Sequence, residues 1–473
     1  MILLFNPRSA RWKHRLPLSL LSVAAGLEGR YDYQIVDGNF ETNALETLSR
    51  IIVEKRVRYL GVTVMPGPQL IEAITISREL KTRFPTLTIV WGGYFPSLHA
   101  EVVLQSGFVN HVVRGRGETA FLDYIQGKEE DDDDSVLSPA ALLGLSLPYH
   151  RVDVRRYIGK TCLGTRTISY HSSFGCPFTC GFCAVAAIYK GKWSGKPPSE
   201  VAEEVLWFRN EYGVNAVEFV DNNFFVAEHR TLEIAERLQG KDITWWGEAR
   251  PDTLNEFSDS TWRTMRSGGL KMIFFGAESS SDEVLARMDK GGTQTADTVL
   301  QLADRMKKFG IVPEFSFVLG TPAPDVDEQI ERDIRYIRRI KSINPRSEIV
   351  IYIYSPVAFD DAELLRQARN RGFEFPKRLV DWLDPVWQSF DLRKNPHTPW
   401  LTARHIERIM NFERVLNARF PTISDIKLKR WQTTILKTLG AWRYKLGFYA
   451  APWEIRLVAN RLFRYRQPEI EGF

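Results

Sequence analysis

Three cysteines lie close together in the run Gly175-Cys-Pro-Phe-Thr-Cys-Gly-Phe-Cys183, at positions Cys176, Cys180 and Cys183. Four thiolates would fill a [4Fe-4S] cube, so three leave one iron open to a small-molecule ligand. Zinc usually needs four ligands, and the chain lacks a second Cys/His pair at a suitable distance. Disulfides are not expected in a chain of 473 residues with four cysteines and no recognisable secretory leader. The CxxxCxxC spacing, with an aromatic residue before its last cysteine, therefore predicts an iron–sulfur cluster with an open iron.

The cysteine count also limits the number of clusters. Outside the motif the chain has only Cys162, and a second cluster would need several more thiolates. Cys162 itself is expected to be a small buried hydrophobic side chain. The sequence therefore predicts one cluster per chain.

Composition indicates a large α/β enzyme of two or three domains with enough apolar residues for proper cores. The 63 Lys and Arg exceed the 58 Asp and Glu by a net charge of +5, which is too small over this length to predict a nucleic-acid partner. No apolar run reaches the length of a membrane span, and the start of the chain resembles a buried strand. We therefore expect a cytoplasmic protein, because a reducing compartment preserves a cluster.

The first 128 residues alternate short apolar runs with amphipathic stretches such as Gln69–Arg83. This alternation predicts a doubly wound parallel sheet of the Rossmann or flavodoxin type, whose ligands lie at the carboxyl ends of its strands. Six consecutive acidic residues, Glu129–Asp134, then predict a solvated linker over residues 129–154. The predicted strands are Ile2–Phe5, Tyr33–Val36, Tyr59–Val64, Thr88–Trp91 and His111–Val113.

The turns after the third, fourth and fifth predicted strands are rich in small residues. They are Thr63–Pro68, Trp91–Pro96 and Arg114–Glu118. Glycine in such turns lets the backbone approach a bulky ligand closely. The same glycines would also suit tight strand-to-helix turns that bind nothing, and the residues alone leave both interpretations open.

Residues 155–355 repeat strand and helix units and predict a partial (β/α)6 barrel with its chemistry at the carboxyl ends of the strands. Polar residues follow several of these strands: Asp221 and Asn222, Glu248 and Arg250, and Glu278 and Ser279, with Gly320-Thr-Pro322 after the fifth strand. The predicted strands are Thr167–His171, Ala216–Val220, Thr244–Glu248, Lys271–Gly276, Glu314–Leu319 and Glu348–Tyr354.

Each of these polar residues has a structural alternative. Asp221 and Ser279 would suit helix caps, and Glu248 with Arg250 would suit an ion pair between strand ends. Taken together, at the ends of successive strands behind a cluster motif, they favour a binding site.

Residues 356–473 are helical and aromatic in pattern. From 401 to 473 there are 14 Lys and Arg against 6 Asp and Glu, as in Trp442–Tyr449. Such a surface would suit an anionic membrane or an acidic or lipid-linked substrate. Alternatively the helices close the barrel, with Lys and Arg stems covering apolar surface. Tyr352 and Tyr354 alternate on the sixth strand and are candidates for the substrate cavity or for core packing.

The cysteine loop resembles that of the radical S-adenosylmethionine (SAM) superfamily. This resemblance implies that the open iron of a [4Fe-4S] cluster chelates SAM and that an electron from the cluster cleaves SAM to a 5′-deoxyadenosyl radical. It implies a reductase partner such as a flavodoxin or ferredoxin. The residues that would contact SAM are Phe182 beside the adenine, Asp221 and Asn222 near the amino group, Glu278 and Ser279 near the ribose and carboxylate, Gly320 at the adenine pocket, and Glu248 and Arg250.

The N-terminal sheet, with its Val-Trp-Gly-Gly-x-x-Pro turn, leads into the cysteine barrel as in the cobalamin-binding radical SAM enzymes, which residues 1–355 resemble. The D-x-H-x-x-G motif of many other B12 proteins is absent, so no histidine is expected on the cobalt. The resemblance implies that cobalamin is wrapped by Thr63, Met65, Gly67, Gly92, Gly93, Gly115, Gly117 and Glu118.

The resemblance implies a cobalamin-dependent radical SAM C-methyltransferase that acts on an unactivated carbon of a small-molecule or lipid-like substrate. One SAM would methylate the cobalt, and a second would supply the radical. One alternative is a cyclisation or rearrangement by the same cofactors. Another is a radical SAM enzyme whose N-terminal domain is degenerate and binds no cobalamin. The sequence assigns neither a substrate nor a catalytic residue.

Overall fold

The computed structural model describes residues 1–9, 14–128, 146–290, 292–359, 362–388, 397–423 and 427–465. The predicted acidic segment Glu129–Asp134 lies outside these residues. Among the described residues, no helix has both the length and the apolar character needed to cross a bilayer.

The N-terminal sheet is parallel throughout, with strand order β2-β1-β3-β4-β5. Its strands are largely apolar because helices cover most of both faces. The order reverses between β1 and β3, which places a ligand crevice at the carboxyl ends of the strands. The predicted sheet is confirmed with strand ends shifted by at most one residue. The strands are β1 (Ile2–Asn6), β2 (Tyr33–Asp37), β3 (Tyr59–Thr63), β4 (Thr88–Gly92) and β5 (His111–Val113).

Helices cover both faces of this sheet. They are α1 (Leu18–Leu27), α2 (Ala44–Lys55), α3 (Pro68–Arg83), α4 (Tyr94–Leu98), α5 (Ala100–Leu104) and α6 (Gly117–Ile125), with a 3-10 turn at Gly38–Phe40.

The second sheet has six parallel strands in the order β13-β12-β11-β10-β9-β6, which confirms the predicted (β/α)6 barrel. A short antiparallel hairpin, β7 with β8, flanks the cysteine loop. The strands are β6 (Thr167–Tyr170), β7 (Ser173–Gly175), β8 (Trp193–Gly195), β9 (Ala216–Phe219), β10 (Thr244–Ala249), β11 (Leu270–Glu278), β12 (Val312–Leu319) and β13 (Glu348–Ile353).

Helices alternate with the barrel strands and pack on their outer side. They are α7 (Ala184–Tyr189), α8 (Pro198–Tyr212), α9 (Glu228–Leu238), α10 (Pro251–Asn255), α11 (Asp259–Ser267), α12 (Asp282–Arg287), α13 (Ala296–Phe309) and α14 (Val326–Ile343); 3-10 turns at Tyr149–Arg151 and Val154–Tyr157 precede β6.

Helix α1 joins the two sheets. Leu18 and Leu21 pack into the barrel core, whereas Leu20, Ala24 and Leu27 pack into the core beneath the N-terminal sheet. A helix with apolar residues on opposite sides is buried on both. The two domains therefore share a core element and do not meet only at their surfaces.

The C-terminal region is helical, as predicted, and it contacts both domains. Leu365, Phe373 and Trp382 pack into the core of the N-terminal sheet, whereas Phe412 and Leu436 belong to the barrel core. The region therefore also fastens the two domains together. Its elements are α15 (Glu363–Asn370), a 3-10 turn at Leu379–Leu383, α16 (Pro385–Gln388), α17 (Ala403–Arg419), α18 (Arg430–Leu446), α19 (Trp453–Arg456) and a π-helical turn at Leu457–Leu462.

The entry into β11 requires a glycine. Gly269 has φ +100°, and a Cβ placed there would lie 2.0 Å from the carbonyl oxygen of Ile243. Gly240 has φ +70° but no heavy atom within 4 Å of such a Cβ. Gly269→Ala should therefore lower the free energy of unfolding by more than about 3 kcal/mol, and Gly240→Ala by about 1 kcal/mol. Urea titration of both variants measures the difference, and equal losses would contradict the steric argument.

Candidate active site

The cysteine loop begins at a backbone position that only glycine can occupy. Gly175 has φ +74°, and a Cβ there would lie 2.2 Å from the carbonyl oxygen of Lys192. The loop is held at its centre, where the Gly181 amide donates to the carbonyl of Met288 at 2.9 Å. Its last cysteine, Cys183, directly precedes α7. The β7–β8 hairpin and the segment after α12 therefore fix the loop from both sides.

The three thiols of Cys176, Cys180 and Cys183 are neighbours. Burial raises the pKa of Cys183 to about 11, and the other two cysteines add to that rise. Burial also raises the pKa of Cys180, whereas the positive charges of Lys290 and Arg250 oppose that rise. A thiolate must be formed before it binds a metal, so these two cations favour the ligating form.

The donor set fits a cluster better than a single ion. In the described part of the chain, no three His, Cys, Asp or Glu side chains are grouped so that they could hold one metal ion. A [4Fe-4S] cube instead spreads its thiolates over separate irons. Three neighbouring thiols with cations beside them are the arrangement that such a cube needs.

Arg250 lies against the cysteine loop. Its Nη1 donates to the Cys180 sulfur at 3.3 Å, and its guanidinium lies 3.8 Å from the centre of the Phe178 ring. Asp252 holds it through an ion pair of 2.7 Å. The ion pair of Arg250 is therefore with Asp252, and the alternative of a Glu248–Arg250 pair is wrong, because the Asp252 carboxylate contacts the guanidinium directly.

In the loop after β9, the asparagine that lies beside the cysteine loop is Asn223, and not the predicted Asn222. Asn222 is exposed, whereas Asn223 is buried and its Nδ2 lies 3.7 Å from the Cys176 sulfur. Asp221 is not a helix cap. It accepts from the amide of Ser172 at 2.7 Å and from the hydroxyl of Ser173 at 2.7 Å, so it joins the end of β9 to the segment that follows β6.

The end of β11 carries a strained residue. Glu278 has φ +64°, an uncommon conformation for a side chain other than glycine. Its carboxylate pairs with Lys290 Nζ at 3.2 Å, and the same Nζ lies 5.5 Å from the centre of the Phe182 ring. Glu278, Phe182 and the cysteine loop are therefore brought together through Lys290, which sequence reasoning missed because it lies in a loop without a strand signal.

Ser279 is held by α14. Its hydroxyl lies 3.3 Å from Asp333 Oδ1, which also accepts from the amide of Ser280 at 2.8 Å. Burial raises the pKa of Asp333 to about 6. The cap of α12 is Ser281, whose hydroxyl accepts from the Val284 amide. Ser279 is therefore not a helix cap.

The C-terminal segment covers the end of β12. The Trp400 indole donates to the carbonyl of Gly320 at 2.9 Å, and a Cβ on Gly320 would lie 2.8 Å from a Leu401 methyl carbon. Tyr354 packs beside Trp400 and shares an apolar cluster with Phe182. Tyr354 therefore belongs to the core beside the site, whereas Tyr352 is only partly buried.

Two ionisable side chains, His171 and Glu248, lie at the ends of β6 and β10. Both keep some accessible surface but are surrounded mainly by protein. Burial raises the pKa of Glu248 to about 7, opposed by the charge of Arg15. Burial lowers the pKa of His171, opposed by Asp221 and Glu118. His171 was not among the sequence candidates, because a single histidine at a strand end carries no motif.

The glycine turns of the N-terminal sheet form one edge. Gly93 has φ +98°, and a Cβ there would lie 3.2 Å from the Thr63 hydroxyl. Thr63 in turn lies 3.1 Å from the Ser19 hydroxyl. Gly67 has φ +83° and precedes α3, and Met65 is exposed. The turns after β3 and β4 therefore touch each other; Gly92 and Gly93 are half-buried, whereas Gly67 is buried. Small residues in such turns allow close approach by a large ligand.

The third turn continues this edge toward the cysteine loop. The Gly115 amide donates to the Ser97 hydroxyl at 3.0 Å, and the Glu118 carboxylate lies 3.5 Å from Arg116. Gly117 packs against α1, with Val23 at 3.0 Å from a Cβ placed on it.

The N-terminal sheet and the cysteine loop of the barrel meet at the Gly115–Arg116 turn. The Arg116 guanidinium lies 5.1 Å from the centre of the Phe174 ring in the β7–β8 hairpin. A Cβ on Gly115 would lie 3.7 Å from the carbonyl of Ile188 in α7. The glycine turns of the sheet and the cysteine loop of the barrel therefore lie next to each other. The small residues of these turns fit close approach by a corrinoid.

Two family models match the chain. Residues 16–125 match the B12 binding domain, and residues 170–337 match the Radical SAM superfamily. The first match covers β2 to β5 of the N-terminal sheet with the glycine turns, and the second covers β7 to β12 with the cysteine loop. The radical SAM domain implies a [4Fe-4S] cluster and SAM, and the B12 domain implies cobalamin.

Similar proteins cover most of the chain. The uncharacterized methyltransferase PH0819 of Pyrococcus horikoshii is 26% identical over 68% of this chain and 73% of its own length. The anaerobic magnesium-protoporphyrin IX monomethyl ester cyclase of Synechocystis is 22% identical over 74% of each. The structure of the radical SAM methyltransferase TsrM from Kitasatospora setae has a TM-score of 0.64 at 15% identity and covers 98% of this chain and 99% of its own, which shows a shared fold.

The cysteine loop predicts the iron content. Anaerobically reconstituted protein should hold about four irons per chain. Replacing Cys176, Cys180 and Cys183 by Ala should remove the iron, its charge-transfer absorbance and SAM cleavage, whereas Cys162→Ala should retain all three. Iron retained in the triple variant, or a count near twice this value, would contradict the assignment.

Glu248 predicts a pH dependence of stability. Its pKa is raised from 4.5 to about 7 in the folded chain, so the folded state binds the proton more tightly than the unfolded state. The free energy of unfolding, measured relative to that of Glu248→Gln, should therefore fall by about 3 kcal/mol as the pH rises through this window, and level off above it. Urea titration of iron-free protein measures this difference. The exposed carboxylate variant Glu256→Gln is the control, and a pH-independent difference for Glu248→Gln would contradict the argument.

Proposed function

Because the chain belongs to the radical SAM enzymes that carry a B12-binding domain, we propose that it methylates an unactivated carbon of a small-molecule or lipid-like substrate. The observation that carries this proposal is the contact between the Gly115–Arg116 turn and the hairpin and helix that flank the cysteine loop. This contact supports a cobalamin site at the sheet edge next to a cluster site in the barrel. The similarity to a protein named as a methyltransferase supports the same reaction.

The proposed roles follow the positions of the side chains. Cys176, Cys180 and Cys183 hold the cluster, and Arg250 and Lys290 balance its thiolate charge. Phe182, with Gly320 beneath Trp400, bounds the adenine of SAM. Glu278 and Ser279 lie at the carboxyl end of β11 toward its ribose and carboxylate. Asn223 replaces Asn222 as the amide beside the cluster, and Asp221 positions the loop through Ser172 and Ser173.

The sheet edge is proposed to hold cobalamin through the backbone of its three turns. When bound, the cofactors supply hydrogen-atom abstraction and methyl transfer, and the protein positions them and excludes water. Trp400 and Leu401 close the barrel over β12. Glu248 and His171 border the remaining interior, where they would bind the polar groups of a substrate. The turn residues assigned to cobalamin are Thr63, Met65, Gly67, Gly92, Gly93, Gly115, Gly117 and Glu118.

We propose domain limits of 1–128 for the cobalamin domain, 129–154 for the linker, 155–355 for the barrel and 356–473 for the helical region. The packing of Leu365 and Trp382 on the N-terminal sheet indicates that the helical region does not fold independently. A flavodoxin or ferredoxin type reductase in the cytoplasm is the proposed electron donor. Nucleic acid is not proposed as a partner.

A second candidate is a cyclisation or rearrangement by the same cofactors. The similarity over 74% of the chain to a protein named as a cyclase favours it. The two reactions would share the barrel and the sheet edge, and transfer of a methyl group to the product distinguishes them.

Product stoichiometry distinguishes the candidates. Methylation consumes one SAM for the methyl group and another for the radical, so turnover should release S-adenosylhomocysteine and 5′-deoxyadenosine in comparable amounts. Methyl-labelled SAM should label the product, and liquid chromatography with mass spectrometry measures all three species.

Two outcomes would overturn the proposal. An unlabelled product with deoxyadenosine and no S-adenosylhomocysteine would favour the cyclase. Product formation at full rate in cobalamin-free protein would instead show that the N-terminal domain takes no part in the reaction.

A further inference from the structure

Helix α18 has an apolar stripe on its outer side. Trp431, Ile435, Trp442 and Leu446 are exposed, at 56%, 40%, 45% and 72% of their surfaces. At 3.6 residues per turn these four positions fall within an arc of about 60°. The buried Leu436, Gly440 and Arg443 lie on the opposite side of the helix. The stripe therefore faces away from the protein, and four large apolar side chains on one line are more than scattered surface residues.

The chain after α18 adds more exposed apolar surface. Phe448 stacks beside Trp442 with ring centres 6.0 Å apart, and Phe463 meets Trp431 edge to face at 5.3 Å. Trp453 is 68% exposed. Leu457 and Leu462 in the π-helical turn are also exposed.

The framework beneath this surface is fixed. The buried guanidinium of Arg443 pairs with Glu454 and donates to the carbonyl of Ala450 at 2.7 Å. Gly440 packs against the end of α17, where a Cβ would lie 2.7 Å from the Arg419 amide nitrogen. The exposed side chains are therefore presented on a rigid support and can be replaced without disturbing it.

The charge of the surface has one sign. Between residues 427 and 465 the only acidic side chain is Glu454, which Arg443 neutralises. Tryptophans and leucines that protrude among cations match an anionic bilayer, because indole rings lie at the headgroup level and Lys and Arg attract anionic lipids. The exposed cations are Lys427, Lys429, Arg430, Lys437, Lys445, Arg456, Arg461 and Arg464.

We propose that residues 427–465 form a surface that docks the enzyme on an anionic lipid bilayer, with α18 lying in the plane of the interface. A second copy of the chain is the less suitable occupant, because a symmetric contact would place these cations against one another. The proposal does not depend on which reaction the barrel performs.

Vesicle flotation tests this inference on the full chain. Wild-type protein should float with vesicles of phosphatidylcholine mixed with phosphatidylglycerol and should stay behind with phosphatidylcholine alone. Binding should weaken as salt is raised, because the charge attraction is screened. Lys437→Glu combined with Lys445→Glu should lower the partition into anionic vesicles by about ten-fold or more. Trp431→Ala, Trp442→Ala and Trp453→Ala together should lower it comparably.

Matched controls separate docking from general charge and from folding. Lys55→Glu with Arg78→Glu reverses two exposed cations on the N-terminal domain, and Trp207→Ala removes a partly exposed tryptophan from α8; both should float like the wild type. All variants should remain folded and keep the wild-type iron content. The proposal is overturned if wild-type protein does not float with anionic vesicles, or if the control variants lose as much binding as the test variants. Dimerisation that the tryptophan variant abolishes, without any flotation, would assign the face to a second copy.

Discussion

The concentration of negative charge in one part-buried loop is the constraint on which the site depends. Three thiolates that face each other repel, and burial raises the cost of each charge. The positive charges of Arg250, directly after β10, and Lys290, in the loop after α12, offset part of that cost. Arg250 is in turn oriented by Asp252 and Phe178. The carboxyl end of β10 and the loop after α12 therefore do more than carry ligand contacts, since their two cations offset the repulsion within the cysteine loop.

The second requirement is that the two parallel sheets present their carboxyl ends to one another. Surface contact alone would leave that orientation free, because interfaces between domains are usually small and polar. Here α1 is buried by both domains, and the C-terminal region packs Leu365 and Trp382 on one sheet and Phe412 on the other. These shared cores therefore fix the position of the glycine turns relative to the cysteine loop.

Much of this arrangement is predictable from sequence because it depends on local pattern. Strands buried on both faces appear as short apolar runs, so all eleven predicted parallel strands are present with small shifts at their ends. The cysteine spacing and the glycine turns are likewise local signals. The contact partners of the polar residues leave no such local signal. Asn222 and Asn223 are indistinguishable in the sequence, and only the fold decides which side chain is buried beside Cys176. Lys290 and Asp333 act from loops and helices whose contacts are long-range, so no periodicity marks them. The packing of residues 362–382 on the N-terminal sheet is missed for the same reason.

The C-terminal region connects the site to the protein surface. Trp400 and Leu401 close the barrel over Gly320, and the chain then continues through α17 to the basic, tryptophan-rich α18. A segment that covers the site at one end and docks on lipid at the other would couple access to the barrel with the position of the enzyme on a bilayer. Such coupling suits an apolar substrate, because transfer from a membrane into a protein cavity avoids exposing its apolar area to water. Of the two proposed kinds of substrate, the C-terminal region therefore favours the lipid-like one.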